Sequence, residues 1–139
     1  MGFLDLDSKQ RVLLAIYTEY QKDIPIMEDI TDELLGLEVE VFGIAVGKLI
    51  NEDMINASPS VIKRGGSRGQ RIKDVNLYGV MMSAKGLEYD EQKLCIDKTL
   101  SNKEKVEKVI ESAGNWGWNQ IKDIGAKVLA EMAINAVRI

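Results

Sequence analysis

Five cations fall within eleven residues, Lys63, Arg64, Arg68, Arg71 and Lys73, with a single acid, Asp74, beside them. The segment carries about +4 in a chain whose net charge is −4, so positive charge has one location. Guanidinium and ammonium groups at this density have one ready chemistry: charge-assisted hydrogen bonding to anionic oxygens, phosphate above all. Three uses fit such a cluster: contact with a nucleic-acid backbone, contact with an acidic protein, or a solvated turn that keeps the chain soluble.

The element that must position these cations reads as a β-hairpin. Ser60-Val61-Ile62 and Ile72-Lys73-Asp74-Val75 are β-type runs, and between them Gly65-Gly66-Ser67-Arg68-Gly69-Gln70 reads as a flexible tip. A glycine-rich tip puts few side chains of its own between the arginines and a partner. With double-stranded DNA as the partner, Arg64, Arg68 and Arg71 are expected to meet phosphates or reach into a minor groove. Lys63 and Lys73 then stand at the hairpin's base.

Other chemistries find little support. Histidine is absent and Cys95 is alone, which removes the commonest general base, the commonest zinc ligand and any intrachain disulfide. Gly65-Gly66-Ser67-Arg68-Gly69 lacks the Gly-Lys-Ser/Thr ending and the following helix of a nucleotide-binding loop. The acid pairs Glu28-Asp29 and Asp32-Glu33 sit where helix starts and solvated loops favour acids. The expectation is a protein that is not an enzyme, with no cofactor and no metal.

At 139 residues, with 45% hydrophobic and 29% charged content, the chain is in the globular range and long enough for one domain with an appendage. Met1-Gly2-Phe3-Leu4-Asp5-Leu6-Asp7 has neither the basic start nor the apolar stretch of a secretion signal. Apolar runs are only a few residues long, far from the roughly 20 that a membrane span requires. The reading is cytoplasmic, without a membrane span.

Ser8 is a candidate N-cap for a helix to about Gln21, with Val12, Leu13, Ile16, Tyr17 and Tyr20 on one buried face. Pro25 blocks its continuation, and Thr31 to Gly36 reads as a very short helix with its own cap and stop. A third helix, about Glu38 to Glu52, turns Val39, Phe42, Val46, Leu49 and Ile50 inward. Its charges, Glu38, Glu40, Lys48, Glu52 and Asp53, are mostly acidic, which opposes insertion into a DNA groove. Gly43 and Gly47 each cost roughly 1 kcal/mol against alanine in a helix. A close approach by another helix, by DNA or by a second subunit is expected to offset that.

Met54 to Ala57 then reads as a strand, Val80 to Met82 as a last strand after the hairpin, and Ser83 as the cap of a helix reaching Tyr89 to Glu91. Helix, helix, helix, strand, hairpin, helix is the order of a winged helix-turn-helix, an α+β fold with a small antiparallel hairpin as its wing. Ile30-Thr31, Leu37, Phe42, the run from Leu49 to Ile55, the basic hairpin, Val75-Asn76-Leu77 and Ser83-Ala84-Lys85-Gly86-Leu87-Glu88-Tyr89 together resemble the YjcQ-like winged-helix proteins. Those proteins occur in low-GC Gram-positive bacteria and their prophages. The resemblance covers residues 8–91 and implies a winged helix, with no established activity.

Residues 92–139 read as a helical extension, for flank packing or for dimerisation. Ser101-Asn102-Lys103-Glu104 is a capping box, Val106, Val109, Ile110 and Ala113 face inward, and Gly114 is a natural stop. A final helix from about Asn119 to Val137 carries a wide apolar stripe, which its own domain, a second subunit or a membrane surface must cover. Trp116, Trp118, Ile121, Ile124, Val128 and Met132 are therefore candidates for pairing two subunits, and a homodimer is expected. The functional expectation is a small DNA-binding regulator of prophage type. The alternative is a protein–protein adaptor without DNA binding, favoured by ten acids against two bases between Glu19 and Asp53.

Overall fold

A computed structural model describes residues 6–66 and 71–137 of the chain. The fold is α+β, and its longest-range organiser is the first helix, α1 (Ser8–Tyr20). Its N-cap is Asp7, so Ser8 is already helical. The Asp7 carboxylate accepts the Gln10 N–H at 2.8 Å while the Gln10 side chain accepts the Asp7 N–H at 3.0 Å. Glutamine three residues on lets Asp7 close the reciprocal box; from Ser8 the same position is Arg11, which has no acceptor to return.

Every residue of α1 from Val12 to Glu19 is buried, where the apolar spacing indicated a single inward face. The reason is that α1 is packed from several sides. The helix α3 (Val39–Asn51) and the helix α4 (Ala84–Lys93) meet it, and so do α5 (Asn102–Ser112) and α6 (Ile121–Val137) from the C-terminal part. Thr18, polar and buried in this setting, donates its hydroxyl to the Leu14 carbonyl at 2.8 Å.

Between α1 and α3 lies the one-turn helix α2 (Asp32–Leu35), capped by Thr31 and stopped by Gly36 in the left-handed region at φ 68°. After α3 come two separate antiparallel pairs. The strand β1 (Ile55–Asn56) pairs with β4 (Met81–Met82), and β2 (Ile62–Gly65) with β3 (Arg71–Val75). The hairpin is shifted by a residue or two from its expected position. Pro59–Val61 forms a short 3₁₀ turn with Ser58 as its cap, so the ladder starts at Ile62 and takes in Gly65 and Arg71.

Ser83 caps α4, and the Ser101–Glu104 box opens α5 as its pattern indicated. Gly114 does not stop that helix. The chain runs on through a 3₁₀ turn, Ala113–Trp116, and turns at Gly117, whose φ is 68°. Val109, Ala113, Trp116, Trp118, Ile121 and Ile124 join Leu13, Tyr17, Phe42 and Leu49 in one continuous core. The C-terminal helices thus share the core of the rest of the chain.

Candidate nucleic-acid interface

Four of the five cations singled out in the sequence stand together on the β2–β3 ribbon; Arg68 lies outside the described residues. The pairing is Ile62 with Val75, Lys63 with Asp74, Arg64 with Ile72 and Gly65 with Arg71, with a bulge that leaves Lys73 as the unmatched residue. Ile72 and Val75 are buried, while Lys63, Arg64, Arg71 and Lys73 are exposed. The bulge breaks the strict alternation, so that Ile72 and Val75, three residues apart, share an apolar underside while Lys63, Arg64, Arg71 and Lys73 stay outside. Lys63, Arg71 and Lys73 have no ion pair among the described residues.

The apolar underside sits on α3. A β-carbon at Gly43 would stand 2.6 Å from Ile72 Cδ1, and one at Gly47 would meet Ile62 Cδ1 at 3.5 Å. The close approach that offsets the two helical glycines is therefore made by the hairpin. Glu40 adds a polar clasp, its Oε2 accepting the Ile72 N–H at 3.1 Å. The cationic ribbon is fixed to α3 by two glycine contacts and one hydrogen bond.

This changes the reading of α3's acidity. Glu40 is turned to the hairpin backbone, and Glu52 is turned to α1, where Lys9 Nζ meets its two oxygens at 2.9 and 3.0 Å. The acids that remain exposed, Glu38 and Asp53, lie just beyond the two ends of the helix. Repulsion from phosphates is thereby moved off the middle of α3.

The residues proposed for pairing two subunits are placed elsewhere. Trp116, Trp118, Ile121, Ile124 and Val128 are buried within the chain, and Met132 is half-buried. The Trp116 carbonyl accepts the Leu6 N–H at 3.2 Å, and the Arg11 guanidinium lies over the Trp118 ring at 5.6 Å. Gly125 lets α6 cross close to Ile110 of α5. From Ile121 to Val128 the apolar stripe is covered by the chain's own helices, so that part needs no second subunit, and five of these six side chains are not on the surface; Ile134, further along the helix, is exposed.

Two internal charge clusters hold the helices together. Lys22 bridges Glu19 at 2.6 Å and Glu131 of α6 at 3.2 Å, and Glu19 also accepts the Ile26 N–H at 2.8 Å. Burial pulls the Lys22 ammonium down, but the bond to Glu19 and the proximity of Glu131 outweigh it and leave the group above its ordinary value. In the second cluster Glu91 accepts the Tyr17 hydroxyl at 3.0 Å and pairs with Lys105 at 2.8 Å. Burial, then the bond to Glu91, pushes the Tyr17 hydroxyl up, so it remains a neutral donor.

Beside it Asp90 is buried, and its Oδ2 has no hydrogen-bond partner among the described residues. Burial first, and the Glu91 charge second, hold its carboxyl well above the ordinary range. A carboxyl raised in the folded state favours the protonated form there. Its cost is absent below the unfolded value near 3.9 and grows as pH rises toward the folded value. Asp90→Asn, which keeps the shape and removes the charge, is expected to stabilise the protein by about 1–3 kcal/mol at pH 8, because the buried carboxyl need no longer ionise or stay protonated against the solvent. The gain should shrink toward pH 4.5, and urea unfolding at the two pH values checks it; an equal gain or a loss at both would contradict this account.

Among the described residues no helix is long and apolar enough to cross a membrane. No cluster of three or more histidine, cysteine or carboxylate side chains able to hold a metal occurs among them either. No protein-family model, curated protein or solved structure matches the chain. Function is therefore read from this chain's own chemistry, and the β2–β3 ribbon on α3 gathers four exposed cations, Lys63, Arg64, Arg71 and Lys73.

Proposed function

We propose that this chain is a winged-helix DNA-binding protein of the YjcQ-like type, a small transcriptional regulator of the prophage kind whose wing is the β2–β3 hairpin. The observation that carries the reading is the cationic ribbon, with Lys63, Arg64, Arg71 and Lys73 exposed on one two-stranded element of an acidic protein. A hairpin of this size fits against a phosphate backbone, and its attachment to α3 gives the cations a fixed position. Binding here is chiefly counterion release, so it depends on salt. Each neutralised phosphate adds about −0.9 to the slope of log affinity against log salt. A specific site calls for two copies, and with Trp116, Trp118, Ile121, Ile124 and Val128 buried that pairing falls to other residues.

Fluorescence anisotropy of a labelled random duplex of about 30 base pairs, at roughly 50 and 200 mM salt, tests the reading. Three to five phosphate contacts should weaken binding roughly forty- to five-hundred-fold between those two conditions. The variant Lys63→Gln, Arg71→Gln, Lys73→Gln keeps a polar side chain with the first two methylenes at each position and removes the charge. It should bind at least about tenfold more weakly at low salt and show a slope shallower by nearly three. Undiminished binding by the variant would refute the wing's role, and absence of binding by the parent at low salt would turn the function toward a protein adaptor.

A further inference from the structure

The exposed side of α3 carries a strip of four residues without an acid. Val41, Ile44, Lys48 and Asn51 are exposed and fall within about 80° of one another at 100° per residue. Val41 and Ile44 keep 39% and 48% of their surface open, too much for core residues, while Phe42, Val46 and Leu49 on the opposite side are closed. Lys48 and Asn51 make no side-chain hydrogen bond or ion pair among the described residues. The two acids nearest this strip, Glu40 and Glu52, are the ones turned to Ile72 and Lys9. Beside the half-exposed Lys9–Glu52 pair at its end, what α3 presents outward is two aliphatic groups, an ammonium and an amide, with the cationic hairpin seated along one edge.

Resting on the DNA reading above, we infer that Ile44, Lys48 and Asn51 are specificity residues that contact base edges in the major groove, with Val41 at the strip's end. The groups match what that groove displays. An asparagine amide pairs with adenine N6 and N7, an ammonium with guanine O6 and N7, and an aliphatic group packs on a thymine methyl. From Val41 to Asn51 the strip rises about 15 Å along the helix, which spans roughly four base pairs. The anionic duplex is the occupant that charge favours. Lys48 lies within the strip, and Lys63, Arg71 and Lys73 stand on the element next to it, where they can meet the backbone as the helix meets the bases.

The test is selection of duplexes with a randomised centre by the full chain, followed by anisotropy on the selected and the random duplexes. The parent should enrich a short motif containing adenine and guanine positions. Asn51→Ala should lose preference at one adenine, and Lys48→Ala at one guanine, each costing roughly tenfold or more on the selected duplex. Neither amide nor methyl contributes to salt dependence, so Asn51→Ala should bind random duplex at low salt as the parent does. The hairpin variant, in contrast, should weaken on both duplexes. Steep, salt-dependent binding without any enriched motif, or a motif kept unchanged by both α3 variants, would overturn this inference and leave the wing reading standing. No binding of any duplex by the parent would overturn both.

Discussion

Gly86→Ala is expected to destabilise the protein by about 3 kcal/mol or more, the upper end of what overpacking costs. A β-carbon at position 86 would overlap the Met54 carbonyl oxygen, and Met82 Cε closes the space from another side at 3.2 Å. A side chain in the way can change rotamer, but this obstacle is backbone. The Met54 carbonyl is also held, because it accepts the Ser83 N–H at 3.2 Å. Ser83 in turn donates its hydroxyl to the Asp53 carbonyl at 2.6 Å and accepts the Gly86 N–H at 2.9 Å. The first turn of α4 is thus seated on the turn that leaves α3, where Asp53 adopts a left-handed φ of 59°.

The effect should appear as a lower urea midpoint at unchanged slope. Gly114→Ala is the matched control. Nothing lies within 4 Å of its β-carbon position and its φ is not positive, so it should stay within about 0.5 kcal/mol of the parent. If Gly86→Ala is no worse than Gly114→Ala, the seating of α4 on Met54 is not what fixes that helix.

Local chemistry was the readable part of this sequence. Thr31, Ser83 and Ser101 each cap the helix that their type and spacing announced. These devices act over three residues and need no knowledge of the fold. The Asp7 cap was readable too, through Gln10, once both neighbouring cap types were tested for a partner. The run Val12-Leu13-Leu14-Ala15-Ile16-Tyr17 likewise carried a sign of all-round burial, since a helix apolar on every side is an interior helix. What covers its further sides arrives with α5 and α6, some ninety residues later.

Direction was the part that could not be read. The charge of Glu52 is plain in the sequence, but its neutralisation depends on Lys9, forty-three positions away. The same holds for Glu40 and the Ile72 N–H, thirty-two positions apart. Counting charges on α3 therefore made it look hostile to phosphates when its exposed strip carries no acid. The apolar stripe of α6 posed the equivalent problem: its need for cover was legible, and the identity of the cover was a matter of tertiary arrangement.

Gly43→Ala should expose how far the hairpin and α3 act as one surface. Its β-carbon would stand 2.6 Å from Ile72 Cδ1 and 2.7 Å from Cγ2, so Ile72 must move. Ile72 has little freedom, being paired with Arg64 across the ribbon and bonded through its N–H to Glu40. A displaced Ile72 takes the hairpin with it. The steric cost is about 1–3 kcal/mol, and the better helix propensity of alanine offsets up to about 1 kcal/mol of it. If the clash is the cause, removing its other half should restore the fit: Ile72→Ala deletes Cδ1, Cγ2 and Cγ1, more than enough room for the β-carbon added at position 43. The double variant should then be more stable than the sum of the two single losses by about 1 kcal/mol or more, read from urea unfolding as a double-mutant cycle. Simple additivity would mean that the glycine serves something other than the hairpin. The same pair separates position from charge in the proposed DNA contact. Gly43→Ala leaves every cation in place, so weaker duplex binding by the single variant, recovered in the double one, would show that the ribbon binds as a positioned surface.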